Sequence, residues 1–409
     1  MIREKIWTRN FIVVCLSSFF MFLTFYILAT AFPLYVKESL HGNQQQMGLA
    51  ITIYVIGGVL IRPFSGQWVD KFGKKKMAVI GLTIFLIACI GYFGSNGIVL
   101  FLVIRFLHGM SYAVASTATS TIASTLIPYS RQGEGIGYFS MFMSIAMVIG
   151  PAWGLFLWKD ENINVLLLGV CVIAALSLLF TLGVRMPKED KANVIEAIKE
   201  PAKTRKGLRW RDVIEPKALP ISLVGFTLAF SYSSLSGFIA SFTKEIHQSQ
   251  LTGYFFVAFA IMIVLFRPVI GKVFDKYNEH ILIYPGIIIF AVGLLSLSQA
   301  RSGLMLMMSG VIMGIGYGAL MPCFQTLALK LAAKDRRGSA NGTFFLLFDL
   351  GYGAGSYFMG LIASYTDYRM MYEVAGGVTL LSLAAYYLLH HVPQAKAKLH
   401  IQKSNIDVV

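Results

Sequence analysis

Asp349 is the one acidic residue set deep within an apolar run of this chain. It lies about ten residues into that run, so at ~1.5 Å per residue it would sit ~15 Å deep, near the middle of a bilayer. A charge there costs at least ~2.5–3.5 kcal/mol, so the group faces a cavity or takes up a proton. Its chemistry would be reversible proton binding; the alternative is an aspartate hydrogen-bonded between helices for packing. Arg105, His108, Tyr112 and Ser116 form a second constellation. Their 3-4-4 spacing places them on one face of a helix. A cationic stripe beside an aromatic ring can bind an anionic group or steer a proton, and a solvated histidine titrates near neutral pH. The alternatives are an arginine that ties helices together through carbonyls and a histidine satisfied within the core.

The elements that must carry these residues are membrane helices. Hydrophobic residues make up 56% of the 409-residue chain and charged residues only 13%, about half the usual charged share of a soluble protein. Cys15, Cys89, Cys171 and Cys323 all fall in apolar stretches and read as small hydrophobes, with neither disulfide nor metal-ligand spacing. A hydrocarbon core needs runs of roughly 20 apolar residues. Such runs fall near 11–32, 46–65, 77–94, 97–124, 134–157 and 163–184, then near 219–241, 250–270, 280–299, 303–328, 339–364 and 371–390. Ala29–Ala31 has the small-residue spacing of a signal-peptidase site, but its apolar run is too long for a signal segment, so span 1 is expected to be retained.

Alternate connections hold 27 and five Lys/Arg residues. By the positive-inside rule both termini and the middle loop face the cytosol. The net charge of +15 therefore signals topology, and no nucleic-acid partner is expected. Residues 62–71 and 267–276 share Arg-Pro, Gly and Asp-Lys at an offset of 205. The same offset pairs Gly109 with Gly314, Tyr112 with Tyr317, Arg131 with Arg336, Gly133 with Gly338, and Gly137 with Gly342. A parallel repeat of six spans predicts an all-α fold of two six-helix bundles related by a pseudo-twofold axis around a central cavity. The expected divisions are 1–184 and 219–391 for the bundles, 185–218 for a cytosolic middle loop and 392–409 for a cytosolic tail. Basic residues interleaved with Val194, Ile195, Ile198, Leu208 and Trp210 make the middle loop either an amphipathic helix on anionic lipid or a solvated tether.

Gly66-Gln-Trp-Val-Asp70-Lys71-Phe-Gly73, followed by Lys74–Lys76, resembles the signature between spans 2 and 3 of the major facilitator superfamily. Arg105-Phe-Leu-His108-Gly109 resembles the span-4 motif of its twelve-span drug/proton antiporter branch, with His108 where Gln is usual. Gly150-Pro151-Ala-Trp-Gly154 resembles the span-5 motif of exporters. Within that branch the chain looks most like bacterial efflux proteins, including opine-metallophore exporters. The resemblance implies a multi-pass protein of the bacterial cytoplasmic membrane, a monomer, driven by the proton-motive force without a bound cofactor or metal. It implies gating by Gly66, Asp70, Lys71 and Gly73, with Asp70 holding the N-terminus of span 11 near Gly338–Gly342, and a conformational role for Gly150, Pro151 and Gly154. The lysines of the signature can equally be a solvated loop that sets topology. The second copy has Asn278 in place of Gly73 and no basic run, so the first copy is expected to carry the stronger latch. Arg62 and Arg267 are expected to snorkel to the cytosolic interface.

Proton coupling is assigned to Asp349, Arg105 and His108. The expected substrate-lining residues are Tyr26, Tyr112, Ser116, Tyr232, Gln325 and Phe344, with a serine cluster at Ser231, Ser233, Ser234 and Ser236. The expected partners are a small-molecule substrate, protons and the lipid bilayer. The sequence holds no Walker A loop, no Gly-x-Ser-x-Gly or His-Glu-x-x-His, and no second deep carboxylate, so it points away from a nucleotide-driven pump and an intramembrane enzyme. It predicts a proton-coupled exporter of small amphiphilic drugs or metabolites working by alternating access, with an importer or a channel as the alternatives. Asp349 alone favours cationic substrates, whereas Arg105 and His108 favour anions or zwitterions.

Overall fold

A computed structural model describes residues 4–42, 44–158, 163–186 and 213–394. The amphipathic segment expected around Val194–Trp210 and the tail from 395 onward lie outside these residues. Twelve helices are long and apolar enough to cross a membrane, and no strand occurs among the described residues. Helices are what hydrocarbon demands, because each backbone N–H and C=O must find its partner within the segment. In order they are α1 (Arg9–Glu38), α2 (Gln44–Phe72), α3 (Lys74–Gly91), α4 (Ile98–Leu126), α5 (Gln132–Leu157), α6 (Ile163–Gly183), α7 (Leu219–Glu245), α8 (Thr252–Lys276), α9 (His280–Ser298), α10 (Gly303–Leu331), α11 (Arg337–Tyr365) and α12 (Tyr368–Tyr386). A π turn, Tyr387–His391, prolongs α12.

The apolar runs place every helix, but polar ends hide how far some extend. Span 2, expected to stop near 65, continues as helix to Phe72. Gly66 therefore sits within α2, and the sharp turn is made by Gly73 alone, at φ +98°. That backbone region carries little penalty for glycine. Lys74–Lys76 form the first turn of α3 rather than a loop.

The chain forms two compact units. The first comprises residues up to Tyr129, Gly150–Glu215 and Lys334–Gly342; the second comprises Ser130–Ile149, Pro216–Ala333 and Thr343 onward. In the first unit α2 and α3 pack on α4, while α1 and α3 pack on α6. In the second, α8 and α9 pack on α10, while α7 and α9 pack on α12. The repeat is thus visible in the packing as well as in the residues. Small hydroxyl side chains join matching helix pairs, as expected where lipid supplies little drive for association. Ser17 Oγ lies 2.6 Å from Thr181 Oγ1 between α1 and α6. Thr227 Oγ1 lies 2.8 Å from Ser382 Oγ between α7 and α12.

Candidate functional sites

Asp70 lies in the last turn of α2, where the helix has run on past the apolar stretch. Its two carboxylate oxygens accept the backbone N–H groups of Gly338 and Ser339, each at 2.7 Å, and the Ser339 hydroxyl also donates at 2.7 Å. An anion here satisfies unpaired N–H groups at the α11 N-terminus and complements its dipole. Gly66 makes the approach possible, since a Cβ there would fall 2.6 Å from the Gly338 carbonyl oxygen. The residues around the contact are seated within the same unit. Arg336 pairs with Glu215, Arg337 donates to the Ser124 carbonyl at 3.2 Å, and Asn341 donates to Thr121 at 3.1 Å. Lys71 is exposed, with its ammonium 5.5 Å from the Phe72 ring centroid. Lys75 donates to the Leu182 carbonyl at 2.9 Å.

The second unit contains a matching carboxylate clamp, at Asp275. Its oxygens accept the N–H groups of Gly133 and Glu134, both at 2.8 Å, and Lys330 Nζ stands 3.5 Å away. Gly271 fills the role of Gly66, with a Cβ there falling 2.5 Å from Glu134 Cα. Sequence reasoning did not single out Asp275, although the 205 offset maps Asp70 onto it and Gly338 onto Gly133. The differences between the clamps lie in their surroundings: a hydroxyl at one, a lysine at the other.

The α4 stripe is buried in the first unit. Arg105 is fully buried; its Nε donates to the Ala50 carbonyl at 2.8 Å, and its guanidinium lies over the rings of Tyr54 and Phe32 at 4.2 and 5.1 Å. His108 is also fully buried, with Nδ1 3.0 Å from the Tyr92 hydroxyl, Nε2 3.7 Å from Cys89 Sγ, and the Phe85 ring 4.2 Å away. Tyr112 belongs to an aromatic cluster with Phe22, Phe25 and Tyr54. Ser116 accepts from Arg62 at 2.9 Å, and the Arg62 guanidinium stands 5.8 Å from the Tyr112 ring. Neither Arg62 nor its repeat partner Arg267 snorkels outward. Both are at most 3% exposed, and Arg267 reaches Ser144 at 3.5 Å. Ser116 and Thr117 offer the Arg62 guanidinium what the interface would have supplied, whereas Arg267 reaches one hydroxyl through Nη2 alone.

Asp349 is half-buried, in the middle stretch of α11. Gly150 and Gly154, one turn apart on α5, press against Tyr26 and Ile27 of α1, with a Cβ at Gly154 falling 2.8 Å from the Ile27 carbonyl oxygen. Pro151 lies between them, within the helix. Of the expected lining residues, Tyr26 and Tyr112 join one aromatic cluster through Phe25. In the second unit Tyr232 stacks on Tyr317 at 4.4 Å and donates to Met147 Sδ at 3.5 Å. Gln325 and Phe344 are fully buried, Phe344 against Phe348 and Gly225. In the serine cluster, Ser236 meets the Tyr352 hydroxyl at 2.8 Å, while Ser233 and Ser234 donate back to carbonyls of their own helix at 2.7 Å.

The Major Facilitator Superfamily profile matches residues 14–298 and 221–407, two overlapping stretches that take in both copies of the repeat. The chain belongs to the major facilitator superfamily. It is a twelve-span membrane transporter and not an enzyme. Among curated proteins of this superfamily it is similar to Multidrug resistance protein 2 of Bacillus subtilis, with 25% identity over 78% of each chain. It is also similar to the Staphylopine export protein of Staphylococcus aureus, with 22% identity over 86% of this chain and 89% of that one. Its fold is similar to that of the proton:xylose symporter XylE, at a TM-score of 0.75 and 13% identity over 93% of this chain and 94% of the other.

Proposed function

We propose that this superfamily member is a proton-coupled exporter of small amphiphilic drugs or metabolites, working by alternating access in a bacterial cytoplasmic membrane with both termini cytosolic. The observation that carries the reading is the pair of carboxylate clamps, Asp70 on Gly338–Ser339 and Asp275 on Gly133–Glu134. Each is a small set of polar bonds at a helix end, strong enough to define a state and few enough to release. Export is supported by the resemblance of Gly150-Pro151-Ala-Trp-Gly154 to the span-5 motif of exporters and by the names of the curated relatives, a multidrug resistance protein and a staphylopine export protein. Asp349 is the proton carrier, and Arg105 and His108 on α4 complete the coupling set. The proton-motive force is the energy source, with no cofactor. Each proton entering across 100 mV supplies ~2.3 kcal/mol, enough for roughly a 50-fold substrate gradient.

In this cycle the cytosol-facing state takes up substrate and the outward state releases it. Protonation of Asp349 accompanies the return, so that one proton enters as substrate leaves. Tyrosine and phenylalanine side chains supply the apolar contacts of the substrate. The test uses everted vesicles with an acidified interior, in which cationic dyes and then zwitterionic or anionic metabolites are added and the pH gradient is followed. Collapse of the gradient by wild type and not by Asp349→Asn, at equal expression, is the expected result, and the panel member that works gives the charge class of the substrate. Full uphill transport by Asp349→Asn removes the proton assignment. Gradient-driven uptake in the opposite direction makes the protein an importer.

A further inference from the structure

Three of the seven histidines in the chain converge at one end of the second unit. His280 opens α9, and His390 and His391 close the π turn after α12. The rings of His280 and His391 lie face to face, with centroids 3.9 Å apart and planes within 14°. Each is anchored through Nδ1, His280 to the Tyr386 hydroxyl at 2.7 Å and His391 to the Tyr284 hydroxyl at 2.8 Å. His390 is only 3% exposed and places Nε2 3.5 Å from the Glu279 carboxylate. That interaction holds the Glu279 carboxyl well below its usual range, at about 2. One carboxylate thus acts on two of the three imidazoles, His390 and His280. Around them stand Tyr387 on the π turn, its ring 5.6 Å from that of His391, and Cys323 on α10, close enough to Glu279 and Tyr386 to interact electrostatically, with Lys330 on α10 paired with Asp275 on α8. The near end of α7 carries no titratable side chain, and Lys217 precedes it.

Among the described residues no group of three or more His, Cys, Asp or Glu has metal-binding geometry, so the chemistry open to this cluster is protonic. Imidazole titrates around neutrality. One added charge can be shared with Glu279, but two imidazolium rings in face-to-face contact repel at close range. The π turn adds a second point of leverage. Such turns are rare departures from the α-helix, found mostly at functional sites, and this one turns two consecutive histidines toward α9.

We propose that the His280–His391 stack and the π turn presenting it form a proton-operated brake, in which a second proton drives the rings apart, frees Tyr387–His391 and slows transport. The link to transport and the cytosolic placement rest on the function proposed above; the unstacking does not. If turnover brings protons into the cytosol, the brake is feedback by the transported ion.

Hydrogen exchange of the full-length protein in lipid nanodiscs, at pH 8 and pH 5.5 with intrinsic rates corrected, tests it. Wild type should lose protection about fivefold or more at low pH over 280–284 and 386–392. His391→Gln should abolish the response. Tyr284→Phe, which removes a hydrogen bond but no charge, should retain it. Equal protection of wild type at both pH values, or a full response in His391→Gln, overturns the proposal. The everted-vesicle assay separates the two inferences. Vesicles without proton-linked transport overturn the proposed function while a pH-dependent stack still supports the switch.

Discussion

The clamps at Asp70 and Asp275 are built on one plan and embedded in different chemistry. Each carboxylate accepts two backbone N–H groups, at 2.7 Å in the first unit and 2.8 Å in the second. Each depends on a glycine four residues earlier that lets two backbones touch. The first adds the Ser339 hydroxyl; the second has Glu134 at the repeat-equivalent position, neutralised by Arg131 at 2.8 Å, and adds a long ion pair to Lys330. The surrounding motif decays in the second half, with Asn278 replacing Gly73 and the basic run lost, yet the bonding survives. What the clamp requires is therefore an aspartate, its partner glycine and a helix N-terminus. The rest of the signature serves the corner that follows.

That comparison can be broken outright by removing the charges. Asp70→Asn and Asp275→Asn should each cost ~1.5–3 kcal/mol of clamp energy, the range for hydrogen bonds to a charged group. The population of the clamped state should fall about 10- to 150-fold for each, read by labelling of an introduced cysteine, with transport rate followed alongside. If only Asp70→Asn has an effect, the second clamp is geometry without function. A smaller pair of changes sharpens the contrast. Ser339→Ala removes one hydroxyl bond to the Asp70 carboxylate, worth ~1.5 kcal/mol at the low end of the charged-group range, whereas Lys330→Gln removes a 3.5 Å ion pair of at most ~1 kcal/mol. In the same assay the serine should matter more, and a larger effect of Lys330→Gln would reverse the ranking of the two clamps.

The smallest expected effect concerns the helix that follows each clamp. The 205 offset pairs Glu279, at the N-cap of α9, with Lys74, in the first turn of α3. An acid suits a helix N-terminus and a lysine opposes it; neighbouring Lys75 turns instead to the carbonyl of Leu182. Glu279 titrates at about 2, depressed first of all by its bond to His390. A depressed carboxyl contributes stability above its unfolded value and loses it as pH falls toward the folded one. The difference in melting temperature between wild type and Glu279→Gln should therefore be full at pH 6 and shrink between pH 4.5 and pH 2. A difference that does not vary with pH would show that Glu279 acts by packing alone.

Hydropathy made the twelve helices legible, because a hydrocarbon solvent admits few other solutions. The first clamp was legible through a family signature; the second was not singled out, although a fixed offset along the chain leads to Asp275. The role of Gly66 was not legible, since only the continuation of α2 to Phe72 turns a loop glycine into a contact glycine. Arg62 and Arg267 were misplaced because hydropathy prices a long cation against lipid and water, not against a hydroxyl such as Ser116 waiting inside the bundle. The histidine stack joins residues more than a hundred positions apart and depends on one π turn, and neither leaves a periodic trace.

The corner at Gly73 carries a further consequence. One residue joins α2 to α3, whereas Tyr277, Asn278 and Glu279 separate α8 from α9. A joint that short has no slack, and any roll of α2 about its axis is handed to α3 undiminished. Inserting a single residue would turn α3 by about 100°, carrying Leu82 and Phe85 out of the core. An epitope or probe belongs in the longer corner of the second unit. The length of the first is as much a part of the device as its aspartate.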